Sequence, residues 1–266
     1  MKKLEGGLRL KGKSKKKPLI TIITVVRNGE KTIKRAIESV VNQTYKNIEY
    51  IIIDGNSTDK TLNIIKKYNS KIDYWMSEPD KGIYDAMNKG VLLARGEYIQ
   101  FLNADDYLAK QDVISRISQG IIKYNPDAIY GKIQPFSYDK CSYSTWPNKE
   151  KSINDLKKGG MLAFPAVFIK RKKIISLGGF NLEYPIAADK DLIYRFFNAK
   201  YKIIFFNKVI TYFYTKGVSS KLHINEAAKV VRVNFGLIRY FYYLLVHGSI
   251  LIVQDIFSRL DLLNRK

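Results

Sequence analysis

Apolar runs typical of strands alternate with helical patterns over the first hundred residues of this chain. The run Leu19–Val26 is rich in β-branched residues and lies between Pro18 and Asn28, which predicts a buried strand. From Glu30 onward apolar residues recur at three- and four-residue spacing, the pattern of one helix face, up to Asn42. The alternation continues with strands predicted at Tyr50–Ile53, Ile72–Met76 and Tyr98–Leu102, separated by a short helix near Leu62 and a helix over Tyr84–Ala94. Strands that are apolar on both faces and separated by helices predict a largely parallel sheet in an α/β fold.

The pattern is less regular beyond about Tyr130. The aromatic and polar stretch Lys132–Trp146 predicts short antiparallel strands, and residues 164–169, 202–206 and 209–213 read as strands around a helix at 188–199. The 266 residues, 46% of them hydrophobic, suffice for one large core and exclude a disordered or collagen-like chain. We predict three regions: a basic flexible tail over 1–17, a globular domain over 18–220 and a helical extension over 221–266.

The net charge is +22, from 46 Lys and Arg against 24 Asp and Glu. Its densest part is the tail over 1–17, where Glu5 is the single acidic residue. Such a surplus predicts a polyanionic partner, either nucleic acid or a membrane surface, although a solvated leader without a partner remains an alternative for the tail. The single cysteine, Cys141, and the absence of a signal-peptide pattern favour a reducing compartment.

Two acidic clusters follow predicted strands directly. Ligands of parallel α/β sheets bind at the carboxyl ends of the strands. Asp54 ends the second strand and is placed to accept a hydrogen bond from a ligand; the alternative is a turn that caps the next helix. Asp105 and Asp106 follow the fourth strand. Because adjacent carboxylates repel each other, the pair suggests a bound divalent cation, with a cap for the helix near Asp112 as the alternative.

Two further clusters lie on predicted helices. Asp85, Asn88 and Lys89 share one helix face, an arrangement that a solvated, ion-paired surface also produces. Asp189 and Asp191 lie in the first turn of the helix at 188–199. An apolar approach to Asp189 predicts a partly buried general base, and ordinary helix capping is the alternative.

Together the segments TVVRN, NQTY, IIIDGNSTDKT, SEPDKGIYDAMNKG, FLNADD and GGFN…AADKDL resemble the family 2 glycosyltransferases of GT-A fold. The resemblance runs from about Pro18 to Ser220 and is closest to bacterial enzymes that build O-antigen, capsule or other surface polysaccharides on lipid carriers. It implies a Rossmann-like, mixed but mostly parallel sheet flanked by helices. It also implies inverting transfer of a sugar from a nucleotide-sugar of the UDP-sugar type to a hydroxyl of a lipid-diphosphate-linked saccharide.

The resemblance also implies roles for individual residues. Asp54 would read the uracil edge, Asp105 and Asp106 would hold Mn²⁺ or Mg²⁺, and Asp189 would be the catalytic base with Asp191 beside it. The positions that match the family's nucleotide-sugar contacts are Thr24, Val26, Arg27, Asn28, Asp54, Asp85, Asn88, Lys89, Asn103, Asp105 and, in a loop over Lys216–Ser219, Lys216.

Three positions depart from the family pattern. Asn103 replaces the first Asp of the acidic motif, and Arg27 replaces a residue that is often aromatic. The stretch Phe164–Ala166 lacks the His often found there, which bears on contacts to the acceptor.

The extension over 221–266 contains the uncharged aromatic and aliphatic run Tyr240–Val253. This run is shorter than the about 20 residues that span a bilayer, and Arg232, Arg239 and Arg259 flank it. It suits a helix lying in an anionic membrane interface, which predicts a cytoplasmic protein bound peripherally to the inner face of the cell membrane. Packing on the domain and a homodimer contact are the alternatives.

Other functions are less consistent with the motifs. The acidic clusters at strand ends would repel a nucleic acid, so we expect no nucleic-acid partner. The segment RNGEKT after the first strand lacks the glycine fingerprint of a dinucleotide-dependent dehydrogenase. A nucleotidyltransferase is closer in chemistry and remains open.

Overall fold

A ten-stranded mixed sheet forms the centre of the molecule, in the order β1-β4-β3-β2-β5-β9-β7-β10-β6, with β8 paired to β7. The computed structural model describes residues 3–8, 17–137, 140–141, 144–217 and 224–246. The strands are β1 (Leu4–Gly6), β2 (Ile20–Val26), β3 (Ile48–Asp54), β4 (Tyr74–Ser77), β5 (Tyr98–Phe101), β6 (Tyr107–Leu108), β7 (Ala128–Ser137), β8 (Lys140–Cys141), β9 (Val167–Lys170) and β10 (Ile203–Tyr214). The helices are α1 (Ile33–Val41), α2 (Thr61–Lys67), α3 (Ile83–Leu93), α4 (Val113–Tyr124), α5 (Ile153–Lys157), α6 (Arg171–Ser176), α7 (Ala188–Asn198) and α8 (Ile224–Phe235), followed by a helical segment over 237–246.

The predicted α/β architecture is confirmed. Strands β4, β3, β2 and β5 run parallel, and every residue of β2 and β3 is buried. One hydrophobic cluster lies on each face of the sheet: α1 contributes Ile33 and Ile37 to one, and α3 contributes Met87 and Val91 to the other. In register, Asp54 lies opposite Val26 on one side and Ser77 on the other. The ends of these strands therefore form one edge, where the first polar clusters meet.

Two sequence predictions in the second half differ from the structure. Residues 164–166 form a 3₁₀ turn that precedes β9, where a strand was expected. The strands expected at 202–206 and 209–213 are one strand, β10, with register irregularities between Phe205 and Thr211. The polar pair Asn207 and Lys208 looked like a turn, but the sheet accommodates these extra residues as a bulge.

The flexible tail predicted over 1–17 is wrong for Leu4–Gly6. These residues form an antiparallel edge strand on β4, and the Tyr74 hydroxyl donates a hydrogen bond to Glu5. The unpaired edge of β4 supplies backbone groups that order a segment whose own composition predicts disorder. Residues 1–2 and 9–16 of the predicted tail lie outside the described residues.

The beginning of the C-terminal extension packs on the domain. Helix α8 contacts α7 and buries Ala228, Val230 and Val231. In the next helical segment Tyr243 is buried, and its ring covers the Lys190 ammonium at 4.6 Å from the ring centroid. Within the described residues, no helix has the length and apolar content needed to cross a bilayer. Residues 221–223 and 247–266 of the predicted extension lie outside the described part of the chain.

Candidate active site

Asp54 ends β3 with both carboxylate oxygens engaged. Its side chain is fully buried and accepts hydrogen bonds from the Ser57 backbone N–H at 3.1 Å, the Ser57 hydroxyl at 2.5 Å and the Ser77 hydroxyl at 2.5 Å. These contacts close a turn after β3 and join it to the end of β4. The structure therefore favours the turn interpretation of Asp54 over the expected contact to a uracil ring.

Four residues of the expected nucleotide pocket lie at the end of β2 and just after it, and two of them, Arg27 and Asn28, are exposed. Thr24 is fully buried with its hydroxyl 3.1 Å from that of Tyr50, and Val26 belongs to the hydrophobic core. Asn28 accepts a hydrogen bond from the Thr58 backbone N–H at 2.8 Å and so joins the loops after β2 and β3. The side chains of Thr24, Val26 and Asn28 thus serve the scaffold in this structure. Arg27, the residue after β2, is exposed, and its Cβ atom lies near Gly55.

Asp80 borders the same space, and the sequence reasoning did not single it out. A Cβ atom at Gly55 would lie 2.2 Å from the Asp80 Oδ2 atom and 3.5 Å from the Arg27 Cβ atom. Asp80 is partly exposed and accepts a hydrogen bond from the Gly82 N–H at 3.0 Å. Gly55 was the sequence signal for this contact, because only a residue without a side chain lets the Asp80 carboxylate approach the backbone after Asp54 so closely.

Lys89 and Asp85 on α3 belong to one ion-pair network. The Lys89 ammonium lies 2.9 Å from a Glu78 carboxylate oxygen and 3.4 Å from one of Asp85, and it donates to the Pro79 carbonyl at 2.9 Å. Burial lowers the pKa of Lys89, but the Glu78 hydrogen bond and the two carboxylate charges outweigh it and raise the pKa overall. Both side chains are partly exposed, so they hold the loop after β4 while remaining accessible.

Asn88 holds a glycine turn. Its amide donates to the Phe180 carbonyl at 2.9 Å, and its oxygen accepts from the Phe180 N–H at 2.9 Å. Gly179 has φ +70°, and a Cβ there would lie 2.6 Å from the Asn88 oxygen. The structure thus uses Asn88 to join α3 to the turn before α7, which differs from the expected contact with the donor sugar.

Asp106 was expected to bind a metal ion, but its carboxylate is buried and hydrogen-bonded within the chain. It is 1% exposed, and its carboxylate accepts hydrogen bonds from the Tyr214 N–H at 2.8 Å and the Asn103 side-chain amide at 3.0 Å. Burial and the neighbouring Asp105 charge raise its pKa well above the ordinary value. Asp106 therefore fastens the acidic loop to β10 with the help of Asn103, and both Asp106 oxygens are engaged within the chain.

Asp105 is the carboxylate of this motif that fits a divalent cation. It is partly exposed, and burial raises its pKa above the ordinary value. Arg35, whose guanidinium lies 4.5 Å from the Tyr107 ring centroid and 4.6 Å from that of Phe136, donates to the Asp105 carbonyl at 3.0 Å. Among the described residues no three Asp, Glu, His or Cys side chains form a metal cluster. One hard oxygen ligand fits Mg²⁺ or Mn²⁺ when diphosphate oxygens complete the coordination.

The loop after β10 approaches this carboxylate. A Cβ atom at Gly217 would lie 2.6 Å from the Asp105 Oδ2 atom, so the loop passes close to the predicted ligand. Lys216, the expected diphosphate contact, is exposed next to it. Residues 218–219 of the predicted loop lie outside the described residues.

Asp189 has the geometry of a general base. Its Oδ1 accepts a hydrogen bond from the Lys190 backbone N–H at 2.8 Å and lies 3.0 Å from the Tyr84 hydroxyl, which shares its single hydrogen with the Ile186 carbonyl. Of the residues that the structure describes, none donates to Oδ2. Burial raises the pKa of Asp189 to about 6, against the lowering effect of these hydrogen bonds. The side chain is therefore ionised near neutral pH and has one oxygen available to accept a proton.

Asp191, one of the two expected catalytic carboxylates, is buried in an ion pair. It is 3% exposed, lies 2.7 Å from an Arg195 guanidinium nitrogen and accepts a hydrogen bond from the Asn234 side-chain amide at 3.0 Å. Arg195 also donates to the Leu177 and Gly179 carbonyls, which brace the turn before α7. Asp191 is therefore part of an ion pair that holds the turn before α7, and its carboxylate is not exposed to the site.

The model of glycosyl transferase family 2 matches residues 21–175 of this chain. The chain belongs to glycosyl transferase family 2. This glycosyltransferase is 30% identical over 185 residues to a PGL/p-HBAD biosynthesis glycosyltransferase of Mycobacterium bovis, an alignment that covers 68% of this chain and 70% of that protein. It is 31% identical over 196 residues to an uncharacterized glycosyltransferase of Rickettsia typhi, covering 67% of this chain and 58% of that protein.

Solved structures confirm the GT-A-like fold of this glycosyltransferase. Residues 1–349 of S. aureus TarS in complex with UDP-GlcNAc superpose with a TM-score of 0.67 at 19% identity, covering 81% of this chain and 66% of that one, just under two thirds. The mannosyltransferase PcManGT of Pyrobaculum calidifontis in complex with GDP-Man and Mn²⁺ gives a TM-score of 0.56 at 17% identity, covering 73% and 56%. The family match ends before Asp189, so the assignment of that residue rests on its geometry.

Proposed function

We propose that this glycosyltransferase moves a sugar from a UDP-sugar to an acceptor hydroxyl with inversion, and that Asp189 is the catalytic base. The observation that carries the proposal is the Asp189 carboxylate, which combines a pKa of about 6 with an Oδ2 that no described residue engages. As the acceptor oxygen attacks the anomeric carbon, Asp189 takes its proton. A base of this pKa is effective near neutral pH because it is ionised there and still accepts a proton readily.

The departing diphosphate needs positive charge close to the ends of β5 and β10. Asp105 would hold a divalent cation that neutralises the charge on the leaving group. Lys216 would contact the same diphosphate; the support is that it is exposed and precedes Gly217, whose backbone passes close to Asp105. We therefore assign the cation to Asp105 alone, because both Asp106 oxygens already accept hydrogen bonds within the chain.

The residues that would contact the nucleoside lie at the exposed carboxyl ends of the strands. Arg27 and Asp80 border the space that Gly55 leaves open, and each is accessible. The Asp80 carboxylate is suited to ribose hydroxyls or a base N–H, and Arg27 to a phosphate or the face of a base. Asp80 thereby takes the role that the sequence suggested for the buried Asp54.

The acceptor that we propose is a lipid-diphosphate-linked saccharide of a surface polysaccharide, such as an O-antigen or capsule, reached from the cytoplasmic face of a membrane. The support is the helical segment over 237–246, which exposes one apolar stripe while its other side packs on the domain. The stripe comprises Leu237, Ile238, Phe241, Tyr242, Leu245 and Val246, with Ile238 84% exposed. The net charge of +22 favours an anionic bilayer as the surface that covers it.

A donor screen tests the catalytic part of the proposal. The full chain is incubated with nucleotide-sugars, Mn²⁺ or Mg²⁺ and a lipid-diphosphate sugar, and the product is identified by mass spectrometry. We expect transfer from a UDP-sugar that EDTA abolishes and that Asp189→Asn reduces by about 10² to 10⁴-fold. Asp112→Asn, which removes a surface carboxylate on α4's N-terminal side, is the matched control and should transfer normally. A nucleotidyl product instead of a glycosyl product would establish the nucleotidyltransferase alternative.

Vesicle flotation tests the membrane part. We expect the chain to float with vesicles that contain anionic phospholipid and to remain at the bottom with zwitterionic vesicles at the same salt concentration. Ile238→Ser together with Phe241→Ser should remove binding, whereas Ile122→Ser, at a 62% exposed apolar residue of α4, should not. Equal flotation of both variants would rule out the stripe as the contact surface, and a dimer by sedimentation would favour a second copy as its cover.

A further inference from the structure

The loop that leads into α7 is held by a carboxylate from α8. One oxygen of Glu226 accepts hydrogen bonds from two consecutive backbone N–H groups, those of Ile186 at 2.8 Å and Ala187 at 2.7 Å. Hydrogen bonds to an ionised acceptor are stronger than neutral ones, and two on one oxygen fix the orientation of both peptide groups. Glu226 therefore determines where this loop lies immediately before Asp189.

The same loop orients the partner of the proposed base. The Ile186 carbonyl accepts a hydrogen bond from the Tyr84 hydroxyl at 2.6 Å, and that hydroxyl lies 3.0 Å from the Asp189 Oδ1. Tyr84 is buried and its ring stacks on Phe180 at 5.3 Å between centroids, so the ring has little freedom to follow a displaced loop. A shift of the Ile186 carbonyl would change the contact between Tyr84 and Asp189.

We propose that Glu226 is a positioning residue for glycosyl transfer, which acts by holding the 186–187 loop so that Tyr84 and the first turn of α7 aim Asp189 at the acceptor hydroxyl. The inference rests on the proposed role of Asp189 as base. The hydrogen bonds of Glu226 go to the loop and not to Asp189, and Glu226 lies beyond the residues that the family model matches. Helix α8 would thereby be part of the catalytic apparatus of this chain.

A second contact between the same helices supports this role. The Asn234 side-chain amide donates to Asp191 at 3.0 Å, so α8 contacts the loop before Asp189 and the first turn of α7 after it. The buried residues Ala228, Val230 and Val231 pack the helix between these two polar contacts. Because α8 is fixed along its length, Glu226 is a rigid support for the loop.

Steady-state kinetics of two Glu226 variants, with Asn225→Ala as control, test the proposal. Asn225 is the exposed neighbour of Glu226 on α8. We expect Glu226→Ala to lower kcat by about 10- to 100-fold with the donor KM unchanged within about twofold, because a misplaced base slows chemistry and not donor binding. Glu226→Gln should recover most of the activity, since its side-chain carbonyl accepts from the same two N–H groups.

A double-mutant cycle with Tyr84→Phe separates positioning from general destabilisation. If Glu226 acts through Tyr84, Glu226→Ala should lower kcat by a much smaller factor in the Tyr84→Phe variant than in the wild type. Full additivity, equal losses in the Ala and Gln variants, or a kcat for Glu226→Ala equal to that of Asn225→Ala would each overturn the proposal. Normal turnover in Asp189→Asn would instead overturn the proposed base, whatever the Glu226 variants do.

Discussion

Replacing Asp189 by Asn should make the protein more stable at neutral pH while it removes activity. Burial raises the pKa of Asp189 from 3.8 to about 6, so the folded state binds this proton more tightly than the unfolded state. The contribution of the group to stability is therefore full below about pH 4 and is lost as the pH rises through about 6. At neutral pH the wild type carries an ionised carboxylate in a site that disfavours it.

The difference between the two pKa values corresponds to about 3 kcal/mol in the free energy of unfolding. Asp189 keeps some exposure, and solvent reduces the cost of its charge, so we expect Asp189→Asn to gain about 1–3 kcal/mol at pH 7.5. The Asn oxygen can still accept from the Tyr84 hydroxyl and the Lys190 N–H, which preserves the local contacts. At pH 4.5 only about a third of the gain should remain, because the wild-type group is then protonated in the folded state.

Urea unfolding of both proteins at pH 7.5 and 4.5 measures the gain, with Asp112→Asn as a control that should show none. The same preparations are assayed for glycosyl transfer, where wild-type kcat/KM should fall as the pH drops below about 6 and the base becomes protonated. A variant that is less stable than the wild type at pH 7.5, or a gain that does not change with pH, would refute the argument from burial. Retained turnover in the more stable variant would refute the base assignment.

Four further substitutions test the residues around the site. Asn88→Ala should lower the free energy of unfolding by about 1–3 kcal/mol, measured by urea denaturation, because both backbone groups of the glycine turn lose their partner. Gly55→Ala should weaken UDP binding several-fold in calorimetry with little change in stability, since the new methyl group displaces Asp80. Asp106→Ala should destabilise by about 1–3 kcal/mol because the Tyr214 N–H and the Asn103 amide lose their acceptor, whereas Asp105→Asn should keep its stability and lose metal-dependent transfer.

Much of the fold follows from local patterns in the chain. The β-branched run that becomes β2 and the helical spacing of α1 predict their elements because burial on two faces and burial on one face require different periods. The chain order of these elements implies a parallel sheet, and a parallel sheet brings the residues after its strands to one edge. Local patterns do not predict the edge strand Leu4–Gly6, because its pairing depends on β4, which lies about 70 residues away along the chain.

The sequence by itself determined which residues are candidates for the site: the acidic residues after the strands and at the start of α7. Only the tertiary structure decided which of these carboxylates are available. Asp54, Asp106 and Asp191 are buried against donors from distant elements, among them Ser77, Tyr214 and Asn234. Asp105 and Asp189 keep some exposure. The physical reason is that a carboxylate's role depends on which N–H or O–H groups reach it, and packing between elements far apart in sequence sets those distances.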